Sequence, residues 1–118
     1  MKVKVYEYSK CSTCRNALKF LDKRGVEYEK KDITTEPPSK SEIEKMIKLY
    51  GGEFKKLFNT SGLVYKEMNL SEKVKKMTTQ EAIQLLSKNG RLIKRPFLLF
   101  QEKGLVGFRE EEWKEIFK

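Results

Sequence analysis

Both cysteines of the chain fall in one short stretch, Tyr8-Ser9-Lys10-Cys11-Ser12-Thr13-Cys14-Arg15, and the periodicity of the sequence changes across it. Before it, Val3, Val5, Tyr6 and Tyr8 read as a short extended run. After it, Cys14, Ala17, Leu18 and Leu21 recur at helical spacing on one face. A strand that passes directly into a helix here sets Cys11 at a helix N-terminus, where free N–H groups and the positive end of the dipole favour a thiolate. Lys10 and Arg15 add positive charge nearby. Cys14 lies one turn further on the same side, close enough for a small disulfide ring that can form and open. On this reading Cys11 attacks and Cys14 resolves. Two others stay open: inert thiols, since Cys14 continues the apolar stripe, and half of a zinc site. With no histidine and no third cysteine, the zinc site would need carboxylates or a second chain. Ser12 and Thr13 are candidates to lend hydroxyls to the thiolate, or serve only as helix-start residues.

A chain of 118 residues supports one domain, 1–118, with a core large enough to need no disulfide staples. No apolar run is long enough for a membrane span and no signal segment opens the chain, so a cytoplasmic protein with no membrane partner is expected. In that compartment a C-x-x-C pair is kept mostly reduced, which favours catalysis or sensing over a structural bridge. The 26 Lys and Arg against 17 Asp and Glu give a net charge of +9. The lysines are scattered among acids, and no basic block carries stacking aromatics. Direct nucleic-acid binding is therefore not expected, and the surface reads as that of a basic, soluble monomer.

Taken in order, the first strand runs from about Lys2 to Tyr8 and the first helix from about Ser12 to Lys23, stopped by Gly25. A second strand, Val26 to Ile33, completes a βαβ unit with parallel strands, which puts the cysteines at the C-terminal end of the first strand. Pro37 and Pro38 break the pattern, and Ser39 with Glu42 is a capping box for a helix carrying Ile43, Met46, Ile47 and Tyr50, ended by Gly51 and Gly52. Phe54, Leu57 and Phe58 mark a short amphipathic piece and Asn59 to Gly62 a turn. Helices follow at about Ser71 to Met77 and Thr79 to Lys88. This helical insertion, about 39–90, separates the two halves of a small sheet. The run from Leu92 to Phe100, with Pro96 opening its strand, pairs through a Lys103-Gly104 turn with a strand to Gly107. A helix from Glu110 to Phe117 closes the core. The fold class is α/β, with a mixed four-stranded sheet in the order βαβ, helices, ββα.

That order, with C-x-x-C after the first strand and a proline opening the third, resembles the thioredoxin fold, in which this proline faces the cysteines and is usually cis. Tyr8, Cys11, Cys14 and Arg15, then Glu36-Pro37-Pro38-Ser39, Leu57-Phe58-Asn59-Thr60-Ser61-Gly62, Tyr65 and Leu92-Ile93-Lys94-Arg95-Pro96, together resemble the arsenate reductase family. The likeness is to its glutaredoxin-coupled branch, which includes the redox-sensing regulator Spx, and it covers essentially the whole chain. It implies that Cys11 is the nucleophile and that arginines hold an oxyanion beside it. Arg95 matches one such position. The other two are Asn59 and Phe108, with Arg109 one residue on. Fewer guanidinium forks imply weaker oxyanion binding, and Cys14 implies that a turnover ends in an internal disulfide.

The resemblance thus implies two functions of different class. One is a thiol oxidoreductase with no bound cofactor, Cys11 and Cys14 being restored by glutathione, glutaredoxin or thioredoxin. Its substrate-binding candidates are Arg95, Ser12, Thr13 and Asn59, with Pro96 structural at the site. The other is an Spx-like regulator that binds the RNA polymerase alpha subunit and uses the cysteines as a switch. In Spx, a glycine of the insertion and an arginine at the position of Arg95 are linked to polymerase contact. Gly51 or Gly52 would supply the glycine, while an end soon after Trp113 leaves no room for the regulator's tail.

Overall fold

Alternation along the first strand decides which way the sheet faces. Val3 and Val5 of β1 (Val3–Glu7) are both fully buried and share a cluster with Ala17, Phe20 and Leu21 of α1 (Ser12–Lys23). The computed structural model describes residues 3–117; the expected strand start at Lys2 lies outside them. The chain divides into two compact units, Met1–Asp32 with Arg95–Lys118, and Ile33–Lys94.

In the first unit, α1 ends at Arg24, and Gly25 follows with φ +69°, the left-handed conformation that terminates helices at glycine. β2 (Tyr28–Asp32) runs parallel to β1, with Val3 opposite Tyr28 and Glu7 opposite Asp32. It is shorter than the expected Val26–Ile33 because the Val26 N–H bonds back to the Leu21 carbonyl and so belongs to the turn. Exposed charges at Glu29, Lys30 and Asp32 suit this edge strand, since they discourage pairing with another chain. β3 (Phe97–Phe100) pairs antiparallel with β1, and β4 (Lys103–Val106) with β3, giving the order β2-β1-β3-β4. Trp113 of α6 (Glu110–Ile116) and Phe117 join the Val3, Val5 and Leu98 cluster. This is a thioredoxin-like sheet of mixed direction, with the insertion between its halves.

One feature of the β3–β4 hairpin differs from expectation. The turn is Gln101-Glu102, not Lys103-Gly104, because Lys103 already pairs with Phe100 and Gly104 with Leu99. Gln101 takes φ +57°, a conformation costing a non-glycine residue about 1 kcal/mol, so the nearby glycine was a misleading turn signal. β3 begins directly after Pro96, as expected. Leu92 closes a 3-10 turn (Gly90–Leu92), Ile93 bridges Phe58, and the Arg95–Pro96 peptide, immediately before β3, is cis.

The second unit is helical. α2 (Lys40–Leu49) is capped reciprocally, the Ser39 N–H donating to Glu42 at 2.9 Å and the Glu42 N–H to the Ser39 hydroxyl at 3.2 Å. α3 (Leu63–Glu67) was not expected. It buries no residue, leaves Leu63 75% exposed and has no side-chain cap, so neither periodicity nor a capping signal marks it. In place of one helix from Ser71 to Met77, α4 (Leu70–Lys73) passes into a 3-10 turn (Val74–Lys76). α5 (Thr79–Lys88) has its own capping box from Thr78 and Glu81, and it packs on α2. The buried residues of this pair are Ile43, Met46 and Ile47, and Ala82, Ile83 and Leu86. No helix among the described residues is long and apolar enough to cross a membrane.

Gly90 sits so close to the Ile33 backbone that a Cβ there would overlap its carbonyl oxygen, whereas Gly51, at φ +71°, has open space around it. Gly90→Ala is expected to cost about 3 kcal/mol, as overpacking against backbone, and Gly51→Ala only about 1 kcal/mol of backbone strain. Urea unfolding measures both; equal losses would show that the close approach is not made.

Candidate active site at the start of the first helix

The site is built where β1 gives way to α1. The Cys11 N–H donates to the Tyr8 carbonyl at 3.0 Å, turning the chain, and the Arg15 N–H donates to the Cys11 carbonyl at 3.1 Å, starting the helix. Cys11 is thereby the N-cap, in extended conformation, and its Sγ accepts the Cys14 N–H at 3.4 Å. Sulfur performs here the role that a Ser or Asp oxygen usually has at this position. Ser12 and Thr13 are the first two helical residues and are exposed. Arg15 turns away to donate to the Ser9 carbonyl at 3.1 Å, so it braces the loop.

The two thiols have opposite environments. Partial burial pushes the Cys11 pKa up, but the Cys14 N–H, the Cys14 thiol and the Arg95 guanidinium all favour its thiolate, and the net shift is downward. Cys14 is fully buried, and burial is the main cause that pushes its thiol up to about 12. A backbone bond from Tyr8 opposes this, while Cys11 and Glu7 add to it. Both thiols are free in the structure. The thiol that caps the helix is thus shifted down and its neighbour, held on the inner side, is shifted up.

Arg95, not Lys10 or Arg15, supplies the cation acting on Cys11. It is half-buried with its Cζ 4.9 Å from the centre of the Tyr8 ring, within reach of a cation–π contact. The buried Pro96 that follows it is tied to the end of β4 by the Gly107 N–H, which donates to the Pro96 carbonyl at 2.9 Å. Arg95, Tyr8, Cys11 and Cys14 are thus brought together.

The remaining candidates have other contacts. Asn59 belongs to the helical unit, where its N–H donates to the Leu92 carbonyl at 2.7 Å and its carbonyl accepts the Gly62 N–H at 3.2 Å. Phe108 is half-buried and edge-on to Phe20 and Trp113, with ring centres 5.7 and 5.0 Å away, while the exposed Arg109 is the N-cap of α6. Among the described residues, no cluster of three or more His, Cys, Asp or Glu could hold a metal ion. Sequence reasoning missed Glu7, a buried carboxyl whose pKa is raised by burial first, with Lys30 lowering it and Asp32 raising it. The signal was available: Val3, Val5, Glu7 is an inward-facing alternation that ends on a charge.

Residues 6–116 match the model of the ArsC family. The chain is 44% identical to YusI of Bacillus subtilis, with 98% of each covered. It is 25% identical to global transcriptional regulator Spx 2 of Oceanobacillus iheyensis, covering 98% of this chain and 84% of that protein. The crystal structure of an ArsC-family-related protein from Bacteroides fragilis superposes with a TM-score of 0.92 at 44% identity, with 98% of each chain covered.

Alkylation rate against pH should show one fast site, Cys11, with its midpoint below the ordinary thiol range, and Cys14 unreactive at neutral pH. Arg95→Met should raise the Cys11 midpoint and slow its alkylation at pH 7. Faster reaction at Cys14, or no effect of Arg95→Met, would contradict this assignment of charges.

Proposed function

Because the chain belongs to the ArsC family, and because its two thiols are shifted in opposite directions, we propose that it is a thiol–disulfide oxidoreductase acting in the cytoplasm. The observation that carries the reading is the Cys11 sulfur sitting on the Cys14 N–H at the helix start. The Cys11 thiolate attacks one sulfur of a substrate disulfide, forming a mixed disulfide and releasing the other sulfur as a thiolate that takes up a proton. Cys14, once deprotonated, attacks the Cys11 sulfur, closing the internal disulfide and releasing the second substrate thiol. Two electrons pass from the dithiol to the substrate. Glutathione with glutaredoxin, or thioredoxin, then returns two electrons by the same exchange. Pro96 is assigned a structural role next to Arg95, and Ser12 and Thr13, exposed at the start of the helix that Cys11 caps, are open to a substrate.

Disulfides suit this site better than arsenate. Phe108 places a ring in an aromatic cluster where the family offers a cation. Arg95 is then the guanidinium available to an oxyanion at Cys11, and a single fork binds such an anion weakly. Arsenate turnover with glutathione and glutaredoxin is expected to be slight.

The similarity to Spx 2 over 98% of the chain favours a second reading, a redox-sensing regulator that binds the RNA polymerase alpha subunit. Gly51 and Gly52 are exposed at φ +71° and +85°, a surface turn at which a partner can approach the backbone closely. Retention of the chain on immobilised alpha C-terminal domain, lost on oxidation, would favour this reading; no retention in either state would leave the oxidoreductase.

Mild oxidation should yield a monomer lighter by two hydrogens, because closure between neighbouring thiols outruns encounter with another chain. Cys14→Ser should instead accumulate a glutathione mixed disulfide at Cys11. Intact mass under non-reducing conditions reads both, and a dominant covalent dimer of the parent would contradict the dithiol reading.

A further inference from the structure

The resolving step has a chemical difficulty that the cysteines alone do not solve. Cys14 must attack as a thiolate, yet burial, the main cause that raises its pKa in the dithiol, persists in the mixed disulfide and keeps the thiol form favoured. Cys11 cannot accept the proton, because its sulfur is already bonded in the mixed disulfide. A base of this chain near Cys14 would let the step proceed at neutral pH without waiting for hydroxide.

Face and direction identify one. Val3, Val5 and Glu7 project from the same side of β1, the side on which Val3 and Val5 meet Ala17 and Leu21 of α1. A helix that follows its strand through a tight turn doubles back over it, so the first turn of α1 lies above the last residues of β1. Cys14 is in that first turn, on the same inward stripe as Ala17 and Leu21, and Glu7 is the last residue of β1. Glu7 is the buried charged residue of the described chain, only 6% exposed, and its charge acts on the Cys14 thiol.

We propose that Glu7 is the proton acceptor for Cys14 in the resolving step, and the proton donor when the internal disulfide is reduced. The inference rests on the dithiol reading above. In the forward direction the S–H proton of Cys14 passes to the Glu7 carboxylate as the Cys14 sulfur bonds to the Cys11 sulfur. The bond from Cys11 to the substrate sulfur breaks, and the substrate leaves as a thiolate that is protonated by water. In the reverse direction a reductant thiolate attacks Cys11, Cys14 leaves, and Glu7 returns its proton.

The surroundings of Glu7 suit this exchange. Lys30 and Asp32 face it from β2, one of each sign, and Tyr28 on the same strand is turned to Asp22, to which its hydroxyl donates at 3.0 Å. Cys14, on the inward stripe of α1, carries the thiol on which the Glu7 charge acts. Burial raises the pKa of the carboxyl and so makes it a stronger base than a free one when it is ionised. The same raised pKa means that the ionised form destabilises the fold. That cost is absent at low pH, where Glu7 is protonated, and appears as pH rises through its folded value.

The test uses the reduced full-length chain mixed rapidly with oxidised glutathione, following the mixed disulfide and the internal disulfide by quenched-flow mass. Glu7→Gln keeps the shape and removes the base. It should slow resolution at pH 7 at least tenfold and make the rate rise with hydroxide. Cys11 alkylation is the control for the first step, since Glu7 is not among the groups that act on Cys11. Glu7→Asp should resolve at an intermediate rate. A merely structural carboxyl would change none of these pH profiles. The melting temperature of Glu7→Gln should exceed the parent's near neutrality and converge with it in acid.

Resolution by Glu7→Gln at the parent rate and with the parent pH profile would overturn the proposal while leaving the dithiol reading intact. A parent mixed disulfide that never resolves would overturn both. Should Glu7→Gln fail to fold, the parent decides: its resolution rate must level off above the carboxyl pKa, and a rate proportional to hydroxide throughout would overturn the proposal.

Discussion

Val3 and Val5 are buried without exposure against Ala17, Leu21 and Trp113, and that apolar seam fixes where α1 lies on β1. Each such side chain contributes about 1.5–3 kcal/mol on burial, enough that the helix cannot slide or rotate on the strand without a large loss. Everything at the site inherits its position from this seam. With the helix seated, its N-terminus falls at the end of β1, Cys11 becomes the cap and Cys14 turns inward. A cavity at Ala17 or Leu21 would therefore be felt in the chemistry of the cysteines although neither residue touches a substrate.

The electrostatics follow from the same seating. A helix start offers N–H groups to whatever group caps it, and here the Cys14 N–H is offered to the Cys11 sulfur. The seam also removes Cys14 from water, which is the chief cause of its high pKa. One element thus lowers one thiol and raises the other. Arg95 adds to the division by favouring the Cys11 thiolate, and the Pro96 that follows it is tied to the end of β4 by the Gly107 N–H. Which thiol is shifted down and which up is set by burial and capping more than by the residues between them.

Much of this could be read from the sequence. The βαβ unit, the helix limits at Ser12 and Lys23, the Ser39 capping box and the strand after Pro96 are local signals, and local hydrogen bonding decided them. What escaped was set by tertiary structure. Neighbours in sequence pointed to Lys10 and Arg15 as cations at Cys11 and only the family resemblance pointed to Arg95; Arg15 is drawn to the Ser9 carbonyl, and Arg95 acts on the thiol. The turn at Gln101 was hidden because a glutamine took the backbone conformation that glycine advertises. Helix α3 has no buried face, so no periodicity could announce it. Glu7 was passed over because a charge at a strand end reads as solvent-facing until the helix above it is placed.

The central claim is that one fold shifts the pKa values of two cysteines three residues apart in opposite directions. The most direct measurement is an NMR pH titration of the Cβ carbons of both cysteines in the reduced protein. Cys11 should titrate below the ordinary thiol range, and Cys14 should show no step of its own until the pH approaches about 12. Two steps in the ordinary range, or a first step belonging to Cys14, would contradict the account.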